Sequence, residues 1–243
     1  MTDLNPDVKA IRVSIMQPYL FPYIGYFQLI DQSDIFVQYD DVNYIKKGWI
    51  NRNQILVNGQ PHRFVLPVRN VSQNKKILEL EVSDVPTNLL RTFHRAYSKA
   101  PEFASVYPLI ETILTNKTRN LADYLDDSIQ ALTEFMGITT RILRSSQLPD
   151  SFTRCDREQR LVQITHSLGG NIYLNAPGAR ELGLYSPEVF LSAGIKLMYL
   201  APGKVEYRQM SPKFQPNLSI VDVLMFNPVD KVREHLNNFA LVY

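Results

Sequence analysis

Short strand-like runs alternate with longer runs of helical spacing at both ends of this chain, and that alternation restricts the possible folds severely. Ile11 to Met16 reads as a strand, Tyr23 to Asp31 as a short helix and Asp34 to Asp40 as a second strand, the pattern of a βαβ crossover. The second half repeats it, with a strand over Thr140 to Arg144, a helix over Cys155 to Leu168, a strand over Asn171 to Leu174, a helix over Ser186 to Ala193 and a strand over Lys196 to Leu200. Strands separated by helices pair in parallel, because each crossover returns the chain to the same edge of the sheet.

The middle of the chain reads differently. Trp49 to Val57 and Arg63 to Val68 flank Asn58-Gly59-Gln60-Pro61, and Asn-Gly between apolar runs is the strongest short signal for a hairpin. Thr87 to Tyr97, Pro101 to Asn116 and Leu121 to Met136 carry helical spacing, the second opening on Pro101, where a missing amide costs nothing. Ser219-Ile-Val-Asp222 has the spacing of an N-terminal cap, and a last helix is expected over Pro228 to Phe239. The expectation is an α/β fold, a mainly parallel Rossmann-like sheet with a β-hairpin and a helical insertion over about 86–137, in a single domain spanning 1–243.

Composition removes several classes of function. Lys and Arg number 26 against 24 Asp and Glu, so the net charge of +2 offers no electrostatic case for a nucleic-acid or anionic-membrane partner. No apolar run approaches the roughly 18 residues of a spanning helix. Neither secretion nor membrane insertion is indicated, and the cytoplasm is the default location. The one cysteine, Cys155, excludes an intrachain disulfide framework and a cysteine-rich zinc cluster. No His-x-x-x-His or His-x-His spacing, Gly-x-Gly-x-x-Gly, Walker Gly-Lys-Ser/Thr or Gly-x-Ser-x-Gly occurs, so no metal site is assigned and the cofactor stays unknown.

In an open parallel sheet, ligands bind beyond the carboxyl ends of the strands. Four such ends are Gln17 to Pro22, Asp40 to Asn43, Asn175 to Gly178 and Ala201 to Gly203. Gln17 carries a donor pair and an acceptor, and Tyr19 stands beside it in a loop stiffened by Pro18 and Pro22. Asp40 and Asp41 end a strand side by side, so alternation is expected to send only one of them into a cleft, there to act as a general base, hold a sugar hydroxyl or join a magnesium site. Lys46, Trp49, Arg52 and Asn53 suit a ligand with an anionic group and a planar face: the Arg52 fork meets carboxylate or phosphate, and Trp49 stacks on a sugar or base. Asn175 and Gly178 complete a candidate anion loop. Tyr26 and Phe27, on the helical face shared with Ile30, read as core.

These residues carry a resemblance. Met-Gln-Pro-Tyr-Leu-Phe-Pro-Tyr-Ile-Gly-Tyr-Phe (16–27), Tyr-Asp-Asp-Val (39–42), Gly-Trp-Ile-Asn-Arg-Asn (48–53), Phe-Val-Leu-Pro-Val (64–68) and Phe-Gln-Pro-Asn-Leu-Ser-Ile-Val-Asp (214–222) together resemble the WbqC-like protein family. The resemblance implies a bacterial protein of surface-polysaccharide (O-antigen) and amino-sugar biosynthesis. The implied activity is a transferase that moves an acyl or aminoacyl group from a donor onto an amino sugar, with a sugar or sugar nucleotide as small-molecule partner. Many relatives have His where this chain has Met16, so no catalytic role falls on that position. In this scheme Asp40 or Asp41 is catalytic, and Gln17, Tyr19, Arg52 and Asn53 hold the sugar or its phosphate. Two other functions fit the same residues: a non-catalytic accessory protein that holds a sugar nucleotide or carrier-bound intermediate, and a homodimer formed through exposed aromatics.

Overall fold

The computed structural model describes residues 9–83 and 87–243. In chain order the strands are β1 (Arg12–Met16), β2 (Ile35–Gln38), β3 (Arg52–Val57), β4 (Gln60–Val65), β5 (Val68–Arg69), β6 (Glu81–Val82), β7 (Arg141–Arg144), β8 (Ile172–Asn175), β9 (Lys196–Pro202) and β10 (Phe239–Val242). The helices are α1 (Ile24–Asp31), α2 (Thr87–Tyr97), α3 (Phe103–Leu114), α4 (Leu121–Phe135), α5 (Arg157–Ser167), α6 (Pro177–Glu181), α7 (Pro187–Ser192), α8 (Ile220–Phe226) and α9 (Val229–Leu236).

Six strands form one sheet in the order β10-β9-β8-β1-β2-β7. All pairings are parallel except that of β10 with β9. β2 and β8 are buried along their whole length, which explains why they read as continuous apolar runs: a parallel sheet is covered on both faces. One face packs Phe36, Leu174, Met198 and Leu200 against α1, α2, α3, α4, α8 and α9. The other packs Val13, Ile15, Tyr173 and Tyr199 against Leu161 and Ile164 of α5, Ala179 of α6 and Phe190 of α7. Phe93, Tyr97, Ile110 and Leu125 from the middle helices belong to the same apolar cluster as Phe27 and Phe36.

Several boundaries differ from expectation, each for a local reason. The hairpin turn is only Asn58-Gly59, both with positive φ (52° and 75°), the two-residue form whose twist matches that of the strands. Pro61 therefore lies inside β4, opposite Leu56, on a two-stranded ribbon where a missing donor is tolerated. Trp49 to Asn51 precede β3 rather than belonging to it. The second middle helix starts at Phe103, because the Glu102 amide bonds the Met225 carbonyl of α8 and sets Pro101 in a turn. Cys155 stands ahead of α5, which is capped by the Asp156 side chain on the Gln159 amide. The last helix stops at Leu236, and Phe239–Val242 becomes β10, an antiparallel edge strand that helical spacing had absorbed.

Candidate functional site

Because β1, β2, β7, β8 and β9 run in parallel, the loops after them share one edge of the sheet. The strand order turns between β1 and β8. The chain leaves β1 for β2 on one side and reaches β8 and β9 on the other, so the Gln17 loop and the Asn175 loop diverge from adjacent strands. This is the geometry that opens a crevice in α/β sheets.

The two aspartates do not alternate across a strand. β2 ends at Gln38, and both Asp40 and Asp41 turn towards Ser145, which follows β7. Asp40 is 1% exposed. Its carboxylate accepts from Arg144 Nε (2.7 Å), the Ser146 amide (3.0 Å) and Ser146 Oγ (2.7 Å), with Ser145 Oγ at 3.1 Å. Ser145 Oγ also lies 2.5 Å from Asp41 Oδ1, and its single proton serves one carboxylate at a time. The other oxygen of Asp41 pairs with the Arg160 guanidinium. Two carboxylates are thus held by two guanidiniums and the Ser145-Ser146 turn, at the ends of β2 and β7. Burial opposes the Arg144 charge, but bonds to Asp123 and Asp40 outweigh it and hold the guanidinium above its usual value.

Arg160 links Asp41 to the Tyr39 ring. Its guanidinium carbon sits 4.7 Å from the centroid of Tyr39, the residue after β2, and its Nε is buried without a protein partner among the described residues. Tyr173 Oη accepts from the Asn175 amide at 3.1 Å, and burial raises the Tyr173 phenol well above its ordinary value. Arg157, one turn before Arg160 on α5, lies over the Tyr185 ring at 5.4 Å. Cations and tyrosines therefore line the α5 side of the edge beside Asn175. Among the described residues no group of three or more His, Cys, Asp or Glu side chains is placed to hold a metal ion.

The structure separates the other site residues named from the sequence. Tyr19 packs edge-on against Tyr26 and accepts from the Tyr23 amide, and burial raises its phenol well above the ordinary value. Asn53 donates to the Phe21 carbonyl at 2.6 Å and accepts from the Gln54 amide at 2.8 Å, so its amide ties the hairpin to the first loop rather than facing a cleft. Arg52 is half-buried, with its Nε unpartnered among the described residues and its charge beside the Tyr44 phenol. Lys46 and Trp49 are exposed, Trp49 at 52%. Gly178 lies exposed on α6 with open space where a Cβ would stand. Gln17 is half-buried, and its carbonyl accepts from Tyr26 Oη.

Sequence reasoning passed over Arg144, Ser145, Ser146, Arg160 and Tyr173. One signal was present for Arg160. It shares the buried face of α5 with Leu161, Ile164 and Thr165, and a guanidinium in such a stripe requires a buried anion. No helix among the described residues is long and apolar enough to cross a membrane.

The chain is 30% identical over 223 residues to the "Uncharacterized protein Rv1507c" of Mycobacterium tuberculosis (strain ATCC 25618 / H37Rv), a match covering 89% of this chain and 93% of that protein. No solved structure matches. The model of the WbqC-like protein family matches residues 17–234, which takes in both the Gln17 loop and the Asn175 loop, and the chain therefore belongs to the WbqC-like protein family.

Proposed function

We propose that the chain is a transferase that moves an acyl or aminoacyl group onto an amino sugar, carried on a nucleotide, for bacterial surface polysaccharide. The observation that carries this reading is the turn in strand order between β1 and β8, with Asn175, Arg157 and Arg160 beside it. That order is also what supports a Rossmann-like description of the sheet. In this reading Gln17 and Asn175 hold sugar hydroxyls, and Arg157 faces the phosphates. Asp40 is the anchor of the site, while Asp41, with one serine and one arginine as partners, is the carboxylate that takes a proton from the acceptor amine. The amine nitrogen then bonds to the donor's carbonyl carbon, and the donor's leaving group departs with its bonding pair. A cytoplasmic location, where sugar nucleotides are made, belongs to the same reading.

The test is incubation of the purified protein with amino-sugar nucleotides and acyl or aminoacyl donors, read by mass spectrometry. The expected result is an acceptor mass increase that Asp41→Asn abolishes while the fold persists by circular dichroism. No mass change across a broad panel, with folded protein, counts against it. One observation favours a second reading, a non-catalytic binding protein: both carboxylates are already engaged by protein donors. Saturable binding of a sugar nucleotide, lost in Arg157→Ala and never followed by turnover, would select that alternative.

A further inference from the structure

A cleft of about 550 Å³ opens on the α1 side of the sheet, where β9 ends. Its wall is formed by Tyr23, Ile24, Val205, Tyr207, Phe214 and Leu218. The Asp41, Arg160 and Tyr173 cluster contributes nothing to it and packs towards α5 instead. A cavity of this size falls in the range that takes a small molecule, about 300–1,000 Å³.

Its outer wall is the segment 203–219, which joins β9 to α8 without helix or strand. That segment is nevertheless fixed from behind. Asp222, 0% exposed, accepts from Tyr97 (2.9 Å), Tyr207 (2.8 Å) and Gln209 (3.0 Å). Gln209 in turn bonds the Gln215 carbonyl and amide, at 3.0 and 2.8 Å, closing the segment on itself. Tyr207 packs edge-on against Phe214 with centroids 5.4 Å apart. The cleft is therefore preformed, with an aromatic wall held by a buried carboxylate.

The charged residues lining the cleft are Lys204, Glu206 and Lys213. Lys204 pairs with Glu206 at 3.0 Å, and Lys213 has no ion pair among the described residues. Two lysines against one glutamate leave one positive charge over an apolar interior. We infer that this cleft binds an amphipathic anion, a molecule with an aliphatic or aromatic body and a carboxylate or phosphate head. The body lies against Tyr23, Ile24 and Phe214, and the head meets Lys213 and Lys204 at the surface. The inference does not rest on the transferase reading, since it concerns the opposite face of the sheet.

Calorimetric titration of the full chain with decanoate, decyl phosphate and decan-1-ol tests it. The expected result is saturable one-to-one binding of at least one of the two anions, with decan-1-ol about tenfold weaker. Comparison of decanoate with decyl phosphate identifies the preferred head. Charge reversal in Lys204→Glu/Lys213→Glu, at exposed positions, should weaken binding of the anion about tenfold. Ile24→Trp, which fills the cleft, should abolish it, with folding checked by circular dichroism; Asp41→Asn should leave it unchanged. Absence of saturable binding by both anions overturns the inference, as does binding that Ile24→Trp leaves unchanged. Equal binding of decan-1-ol, or indifference to the charge reversal, overturns the anionic head.

Discussion

Replacing Arg144 by Met asks whether Asp40 is an anchored anion. Arg144 meets Asp40 through Nε and a terminal nitrogen, both at 2.7 Å, and reaches the half-exposed Asp123 with its other arm. Removing one partner of a buried pair costs about 3–5 kcal/mol, because the remaining charge loses its compensation. Asp40 keeps the Ser146 amide, Ser146 Oγ and the Ser145 hydroxyl, and Met replaces much of the arginine stem, so the lower figure of about 3 kcal/mol applies. The Asp123 arm adds little, since exposed pairs contribute about 0.2–1 kcal/mol. At about 2–4 °C per kcal/mol for a chain of this size, Tm should fall by about 6–12 °C. In Asp40→Asn/Arg144→Met no ionised group remains buried at this position, and the cost should fall short of the sum of the two single costs by about 2 kcal/mol. Thermal melts by circular dichroism, with urea denaturation of all three variants, measure both quantities. A shift under about 2 °C for Arg144→Met, or single costs that simply add, would refute the reasoning and return Asp40 to the list of carboxylates open to a ligand.

Gly59→Ala should cost about 1–2 kcal/mol in urea denaturation, because the position needs φ of +75° and a Cβ would stand 3.3 Å from the Met210 carbonyl oxygen; an unchanged midpoint would contradict the turn. Burial holds the Asp222 carboxyl above its ordinary value of 3.8, against hydrogen bonds from Tyr207, Tyr97 and Gln209 that lower it. The native state therefore binds that proton more tightly than the unfolded chain. The cost of the buried charge is fully present above the raised value, and wild type gains stability relative to Asp222→Asn as pH falls through that value towards 3.8. The urea midpoint of wild type should rise relative to that of Asp222→Asn in that direction, and the opposite slope would contradict the assignment. Trp49→Phe should change stability by less than about 0.5 kcal/mol, and iodide should quench the single tryptophan strongly, as its exposure requires; a protected emission would show that this surface is covered in solution.

Local spacing carried much of the fold. Continuous apolar runs at Ile35–Gln38 and Ile172–Asn175, the Asn58-Gly59 pair and the helical period of Leu121–Phe135 each report a property of neighbouring residues: pleat, turn sign or amphipathic face. The parallel sheet and its shared loop edge followed from those elements and from the handedness of crossovers. The terminal strand Phe239–Val242 did not, because a short apolar run becomes a strand only when an edge such as β9 is there to pair with it.

The candidate site divides along the same line. Sequence placed Gln17, Asp40, Asp41 and Asn175 at strand ends, since loop positions follow from element boundaries alone. The bonds that hold Asp40 and Asp41 were decided by the tertiary structure: Arg144 lies 104 residues from Asp40, and Arg160 lies 119 from Asp41. A buried carboxylate must find compensating donors wherever packing brings them, and that search runs through space without regard to chain separation. The same rule turned Asn53 and Tyr19 inward to satisfy backbone groups and left Trp49 at the surface. Residue type and spacing thus determined the elements and their common edge in this chain, while the partners of its buried charges were set by packing, because desolvation is a property of the assembled core.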